Sequence, residues 1–211
     1  GIISLEESNE RSERPDWLST LRPLRTQVFM NYVYLAKVER DRYVSQVLEY
    51  LVDLVERTDQ KVLQGSMTSQ NLPATYLCTS LIWVGKRENA ESLFDYTDGK
   101  GNPLISHSSL KLEGLERIDW RPSSYFRLVQ PLQYYRRLPP LGSNYYSFEL
   151  YFDQVQPSGA LNLSPLERVE LLHKFQPGVL GSKMVTTYLR KLNRLVIFSG
   201  IGRLGFAGSS D

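Results

Sequence analysis

Apolar and polar residues alternate in short runs along most of this chain. Every second side chain between residues 146 and 152 is aromatic or leucine, and residues 169–173 show a similar pattern. Such alternation gives a strand one apolar face, because successive side chains point to opposite sides. Together with β-branched and aromatic content, the pattern predicts strands at 28–35, 74–84, 110–112, 125–130, 146–152, 161–163, 169–173, 184–189 and 195–198.

Residues that favour turns or loops separate many of these runs. The clearest case is the glycine- and asparagine-rich segment 98–103, because both residue types tolerate a positive φ. Several short strands divided by turns or longer loops, without regularly alternating helices, are typical of a β-sandwich or barrel. The sequence therefore predicts an all-β domain and disfavours a doubly wound α/β sheet.

One segment fits two structures. The spacing of a single helical face is followed by Val44, Val47, Leu48, Leu51, Val52 and Val55. The alternation of a strand is followed by Leu48, Tyr50, Val52 and Leu54. Periodicity by itself favours an amphipathic helix over residues 38–57.

Composition and charge exclude some classes of protein. The 211 residues are 41% hydrophobic, which is enough for one large β domain or for a domain with a fragment of another. Residues 1–27 are polar and charged, and they predict a flexible or extended lead-in. The net charge of +2 is small and scattered, so we predict no direct contact with nucleic acid.

Other features bear on the compartment and on the membrane. The single cysteine, Cys78, cannot form a disulfide within the chain. No stretch of 18 or more apolar residues is present, so no transmembrane segment is predicted. The chain begins with Gly1 instead of methionine, and we expect it to be part of a longer protein.

The sequence offers few residues for catalysis or for metal binding. His107 and His173 are the only histidines, and no G-x-S-x-G motif accompanies them, so we predict neither an enzyme nor a cofactor. Their spacing also fits no zinc site. Asp95, Asp98 and Asn102 surround a glycine-rich loop, where a plain hairpin turn is favoured over a calcium site.

Two further motifs have a structural and a chemical interpretation. Gly200, Gly202 and Gly205 match G-x-G-x-x-G, but too few residues follow for a phosphate-binding helix, so a tight turn is favoured. Asn162-Leu163-Ser164 is an N-glycosylation sequon, and modification of Asn162 is a hypothesis.

A series of phrases in a fixed order resembles a known family. They are Tyr32–Leu35, Glu39–Tyr43, Ser80–Val84, Leu93–Thr97, Leu110–Gly114, Ser124–Pro131, Tyr146–Phe148, Gln156–Ser164 and Leu195–Phe206. In order and spacing these resemble the C-terminal half of the major capsid protein of nucleocytoplasmic large DNA viruses. The most specific phrase contains Pro157, Ser158, Gly159, Asn162 and Ser164.

The resemblance implies a fold and a domain organisation. The family has two consecutive jelly rolls. Residues 28–46 would then be the last strand of a preceding roll with a short helical connector, and residues 47–211 would be the C-terminal jelly roll. The resemblance also implies that the helix ends near Gln46 and a strand follows, against the periodicity of residues 38–57. Departures after Gly159, in Leu163–Glu167, imply a divergent member or a minor capsid paralogue.

The resemblance also implies a function. The protein would trimerise into pseudo-hexagonal capsomers of an icosahedral shell, located in the virion and, during assembly, in the host cytoplasm. Its partners would be copies of itself, neighbouring capsomers and minor capsid proteins. Tyr134, Tyr135, Arg136 and Arg137 form a proline-bounded loop and are the candidate trimer contacts, since Tyr and Arg anchor interfaces.

Three other classes of protein are alternatives. A carbohydrate-binding jelly roll of lectin type requires exposed aromatic side chains with Asp or Asn around a concave face. A cupin requires clustered histidines, and a hydrolase requires a triad, so both are disfavoured by the residues present.

Overall fold

The computed structural model describes residues 27–90, 92, 94–134, 137–151, 154 and 156–205. Residue contacts divide the chain into two units, 1–37 and 38–211. The described residues of the first unit, up to residue 36, have no regular secondary structure, and their side chains are exposed. The predicted strand over 28–35 is thus not formed in this chain, because a strand requires a hydrogen-bonded neighbour and none of the described strands pairs with it.

The second unit is built almost entirely of strands. Its helical elements are α1 (Lys37–Ser45), a π-helical segment (Tyr125–Val129) and α2 (Gln130–Tyr134). Its strands are β1 (Leu48–Val62), β2 (Met67–Asn71), β3 (Leu77–Arg87), β4 (Ile105–Leu112), β5 (Leu115–Pro122), β6 (Ser143–Ser147), β7 (Leu161–Asn162), β8 (Val169–Phe175), β9 (Lys183–Phe198) and β10 (Ile201–Leu204).

The strands form two antiparallel sheets. One sheet has the order β1-β9-β3-β6, with β7 paired to β3 and β10 paired to β9. The other has the order β2-β8-β4-β5. The chain crosses repeatedly from one sheet to the other, and strands adjacent in a sheet are mostly distant in sequence. This is a jelly roll, and the predicted all-β sandwich is confirmed.

The core lies between the two sheets. Along β8, buried residues alternate with half-buried ones from Val169 to Phe175, as the sequence pattern predicts. Leu171 on β8 and Leu81, Val185 and Leu189 in the other sheet are almost completely buried. The inner faces of both sheets therefore supply one continuous apolar cluster.

The ambiguous segment divides as the family resemblance implies. Helix α1 ends at Ser45, and β1 begins at Leu48 and runs for 15 residues. Every described side chain of α1 is at least partly exposed, whereas β1 pairs with β9 along its whole length. In β1 the backbone is hydrogen-bonded to β9 along its whole length, and this pairing outweighs the helical periodicity. The helical prediction for residues 47–57 is therefore wrong.

One predicted strand is helical. Residues 125–130 form the π-helical segment and the start of α2 instead of a strand. The packing of Phe126 explains why this segment is helical, because its ring is buried edge-on against Trp83, with centroids 4.8 Å apart. Ser123 holds the start of the segment by donating a 2.7 Å hydrogen bond to the buried Asn144.

The strand predicted over residues 146–152 is shorter than expected. β6 ends at Ser147, whose hydroxyl accepts a 3.0 Å hydrogen bond from the backbone N–H of Glu149. This local side-chain bond competes with the ladder and turns the chain. Leu150 is exposed, and Phe152 lies outside the described residues.

A polar chain crosses the core between the sheets. The indole N–H of Trp83 donates to the hydroxyl of Ser108 at 3.1 Å, and that hydroxyl lies 3.0 Å from Nδ1 of His173. The Ser108 hydroxyl accepts from the indole and can either donate to Nδ1 or accept from it, according to the tautomer of His173. Burial lowers the pKa of His173 to about 3.

This burial predicts a stability that depends on pH. The pKa of His173 is about 3 in the fold against an ordinary value of 6.5, so the unfolded chain takes up the proton first. The contribution of neutral His173 is fully present above pH 6.5 and is lost as pH falls towards 3, at about 1.4 kcal/mol per pH unit.

Urea unfolding between about pH 7 and pH 4 measures this effect against a His173→Gln variant. Carboxylates titrate in both proteins, so the difference in how the free energy of unfolding changes with pH isolates the contribution of the histidine. We expect the variant to lose less stability on acidification. The same pH dependence of the unfolding free energy in both proteins would contradict the predicted role of His173.

Candidate functional site

Four loops meet at one end of the sandwich. Backbone hydrogen bonds tie them together: Glu88 N–H donates to the Ser182 carbonyl at 3.1 Å, and Gln176 N–H donates to the Leu104 carbonyl at 3.0 Å. Gly142 packs so closely that a Cβ there would lie 2.4 Å from the carbonyl oxygen of Tyr96. We call this surface the loop end; its described residues are 63–66, 88–90, 92, 94–104, 137–142 and 176–182.

Each loop of the loop end exposes a large apolar side chain. These are Leu63, Phe94, Leu138 and Leu180, the last of which is 90% exposed. Apolar side chains are exposed elsewhere on the domain as well, for example Val55 on β1 and Leu115 on β5, so the loop end is one of several candidate contact surfaces.

The candidate interface loop is only partly described. Tyr134 ends α2 and lines a cleft between β5 and β6, whereas Arg137 is exposed. Tyr135 and Arg136 lie outside the described residues. The structure adds exposed Leu132 and Leu138 on either side of the loop, which the sequence analysis did not select. A leucine on the outer face of a very short helix carries no periodic signal that could have identified it.

The segment with the most specific family phrase closes a long connection onto the sandwich. The hydroxyl of Ser158 accepts from the Tyr151 N–H at 2.7 Å and donates to the Tyr151 carbonyl at 3.1 Å. A Cβ at Gly159 would lie 3.0 Å from the carbonyl oxygen of Phe148, so glycine permits this close approach. Pro157 precedes them and is half-buried.

The end of the same phrase is tied to β3. The hydroxyl of Ser164 accepts from the Tyr76 N–H at 3.0 Å, and Asn162 Oδ1 accepts from the Ser164 N–H at 3.1 Å. Asn162 also pairs with Leu77 in the short strand β7. Asn162 and Ser164 therefore hold this segment against the start of β3. The side chain of Asn162 is exposed and stays a candidate for glycosylation.

The C-terminal glycines form a hairpin. Ser199 and Gly200 both have a positive φ, 53° and 77°, and connect the paired residues Phe198 and Ile201. A two-residue turn with two positive φ values is the usual connection of tightly paired strands. Gly202 lies on β10, and a Cβ at Gly205 would come within 3.2 Å of the Arg194 carbonyl oxygen. The glycine spacing thus serves strand pairing instead of nucleotide binding.

In the glycine-rich turn, the carboxylate of Asp98 accepts hydrogen bonds from residues of the same turn. Asp98 accepts from the backbone N–H groups of Lys100 and Asn102 at 2.7 and 3.0 Å, and from the Asn102 side chain at 2.9 Å. These bonds, the Asn102 side chain first, lower the pKa of Asp98. Asp95 pairs with Arg87 at 2.9 Å. Within the described ranges, no group of three or more potential ligands could hold a metal ion.

The histidines occupy unrelated positions. His107 is exposed on β4, whereas the Ser–His contact that the fold does create joins Ser108 to His173. Both of these are completely buried, and Nε2 of His173 has no hydrogen-bond partner among the described residues. A hydrolytic base needs access to substrate and a group that orients it. The contact therefore belongs to the core.

The described part of the chain has no helix with the length and hydrophobicity needed to cross a membrane.

Comparison with solved structures matches the fold to viral capsid proteins. The PBCV-1 virus capsid aligns with a TM-score of 0.68 and 21% identity, over 84% of this chain and 56% of that one. The Faustovirus major capsid protein aligns with a TM-score of 0.63 and 12% identity, over 78% and 36%. At these identities the likeness establishes the jelly-roll fold alone.

Comparison of sequences identifies relatives among viral capsid proteins. Probable capsid protein 4 of Acanthamoeba polyphaga mimivirus is 26% identical over 94% of this chain and 42% of its own length. The major capsid protein of Pyramimonas orientalis virus is 28% identical over 85% and 48%. The chain thus spans about half the length of these relatives. The family model described as large eukaryotic DNA virus major capsid protein matches residues 39–198. The chain therefore belongs to the family of large eukaryotic DNA virus major capsid proteins.

Proposed function

We propose that this chain is one jelly roll of a structural capsid protein. The match of the family model over residues 39–198 carries the proposal. Its role would be to form part of the virion shell, with assembly in the host cytoplasm. It would contact copies of itself, neighbouring capsomers and minor capsid proteins. A role without catalysis agrees with the enclosed position of Ser108 and His173.

The loop end is the surface that we propose for trimer contacts. Its exposed apolar side chains would be buried against another subunit of the trimer. Arg137 is exposed where the described part of the loop 137–142 begins, and Arg136 directly precedes it in the sequence. Arginine with aromatic neighbours is a common interface anchor. Trimers of this kind would form pseudo-hexagonal capsomers in an icosahedral shell.

Replacing the two arginines tests the trimer proposal. We expect Arg136→Ala/Arg137→Ala in the full-length protein to weaken trimer association by about tenfold or more. Sedimentation velocity over a dilution series measures this. The matched control, Arg57→Ala/Arg168→Ala, removes two exposed arginines that pair with Asp59 and Glu170, and it is expected to leave the trimer intact. An undiminished trimer in the first variant would contradict the proposal.

We propose that residues 28–35 are the last strand of a preceding jelly roll. Val28, Phe29, Tyr32, Val33 and Tyr34 are at least 73% exposed here. The curated relatives are about twice as long as the part that this chain matches, which leaves room for another roll.

The exposed apolar residues predict aggregation of residues 1–211 expressed alone. Light scattering would report it, and replacing Phe29, Val33 and Tyr34 with serine should reduce it. Deleting four residues of the acidic and basic lead-in, 6–9, is the control and should change little. A monodisperse monomer of the unaltered chain would count against the two-roll organisation.

Asn162 provides a separate prediction. Its side chain is exposed on β7, and we propose that it carries an N-linked glycan when the protein is made in its host. Intact mass before and after deglycosylation should differ by the glycan, and Asn162→Gln should abolish the difference. Equal masses for the unaltered protein would exclude modification at this position.

A further inference from the structure

A cleft of about 550 Å³ lies where the edges of the two sheets separate. One wall comes from β5, the other from β6 and the segment after it, and the helical residues 125–134 cross between them. The volume is within the range of about 300–1,000 Å³ that is common for small-molecule sites. We call it the edge cleft. It is separate from the apolar side chains of the loop end and has a different lining.

Aromatic rings fix the shape of the edge cleft. Tyr146 packs edge-on against Phe148, with ring centroids 5.0 Å apart and planes at 87°. Tyr125 packs in the same way against the buried Phe126, at 5.2 Å and 85°. Rings held edge-on by their neighbours keep a fixed orientation, and each presents a face or an edge to an incoming ligand.

Hydroxyl groups and an arginine converge on the same space. Burial raises the pKa of Tyr146, the nearby hydroxyls of Tyr125 and Tyr134 raise it further, and Arg117 opposes them. Side chains from β5, the π-helical segment, α2 and β6 line this one cleft: Arg117, Tyr125, Tyr134 and Tyr146. The guanidinium of Arg121 also lies over the Tyr125 ring, 5.7 Å from its centroid. The edge cleft therefore combines ring surfaces with fixed hydrogen-bond donors and acceptors.

Gln130 at the edge cleft has an unsatisfied acceptor. Its side chain is only 4% exposed, and its amide nitrogen donates to the Tyr125 hydroxyl at 2.9 Å. Its carbonyl oxygen has no hydrogen-bond partner among the described residues. The same buried amide holds the Tyr125 hydroxyl in place at the lining of the edge cleft.

The charges of the ionisable side chains that line the edge cleft cancel. Arg117 and Arg121 are positive, and Asp119 and Glu149 are negative. Glu149 is almost completely buried and faces Arg190, with 3.7 Å between the carboxylate and the guanidinium. A phosphate-rich ligand would require an excess of positive charge, and a purely apolar ligand would leave these groups unpaired.

We propose that the edge cleft binds a short saccharide of one or two pyranose rings. The C–H faces of a sugar would pack on Tyr125 and Tyr134, and its hydroxyls would donate to and accept from the surrounding side chains. Mixed donors and acceptors beside fixed aromatic rings match this ligand class better than any other considered above. The edge cleft and the candidate trimer contacts share Tyr134, so assembly is measured together with sugar binding in every variant.

Binding is tested with the purified protein in the assembly that it forms. A panel of immobilised mono- and disaccharides, neutral and uronic-acid types, identifies the best probe, which is then titrated in solution by calorimetry. Tyr134→Ala is expected to weaken binding by about tenfold. The matched control is Tyr50→Ala, since Tyr50 lies on β1 at the opposite edge of its sheet and is 46% exposed.

A second variant separates binding from folding. Gln130→Leu removes the unsatisfied carbonyl and also the amide that donates to Tyr125, and these two effects on thermal stability oppose each other. Thermal stability should therefore change little, whereas saccharide affinity should fall because the Tyr125 hydroxyl is no longer held. Failure of every saccharide to bind would overturn the proposal, and so would binding that both variants leave unchanged. If Tyr134→Ala instead disrupts the trimer while no sugar binds, the cleft is occupied by a neighbouring subunit and the saccharide proposal is wrong. Normal assembly with lost sugar binding leaves the proposed capsid role intact.

Discussion

The pairing of β9 with its two neighbours is the constraint on which the first sheet depends. β9 has 16 residues, and it bonds to β1 along one edge and to β3 and then β10 along the other. One register therefore determines which side chains of three strands face the core. A shift by one residue would move Val185 and Leu189 to the outer face, at the cost of several buried apolar contacts.

A buried charge on β9 strengthens this register. The ammonium of Lys191 contacts the Glu56 carboxylate on β1 and donates to the Pro73 carbonyl and the Thr75 hydroxyl, at 3.2 and 2.7 Å. A buried ammonium is tolerated only with such partners. Lys191 thus joins the outer strand, the central strand and the connection into β3, and a different alignment would leave its charge unpaired.

The helical crossing from β5 to β6 separates two kinds of surface. Phe126 and the Ser123–Asn144 hydrogen bond hold the crossing on the sandwich. The exposed leucines at and after its far end belong to the apolar surface that we propose for contact between subunits, and its inner tyrosines line the polar and aromatic edge cleft.

The sequence by itself determined the all-β class, because alternation in segments such as 169–175 depends only on which side chains must be buried. The ordered phrases, among them Pro157–Gly159 and Gly200–Gly205, identified the family, and β-turn chemistry predicted the turn at 98–103. Local pattern could not decide residues 47–57 or 125–130. There the outcome rests on partners distant in the chain: β9 beside β1, and Trp83 beneath Phe126. The Ser108–His173 contact and the edge cleft likewise exist only in the tertiary structure, because hydrogen bonds and rings from several strands meet there and leave no periodic trace in the sequence.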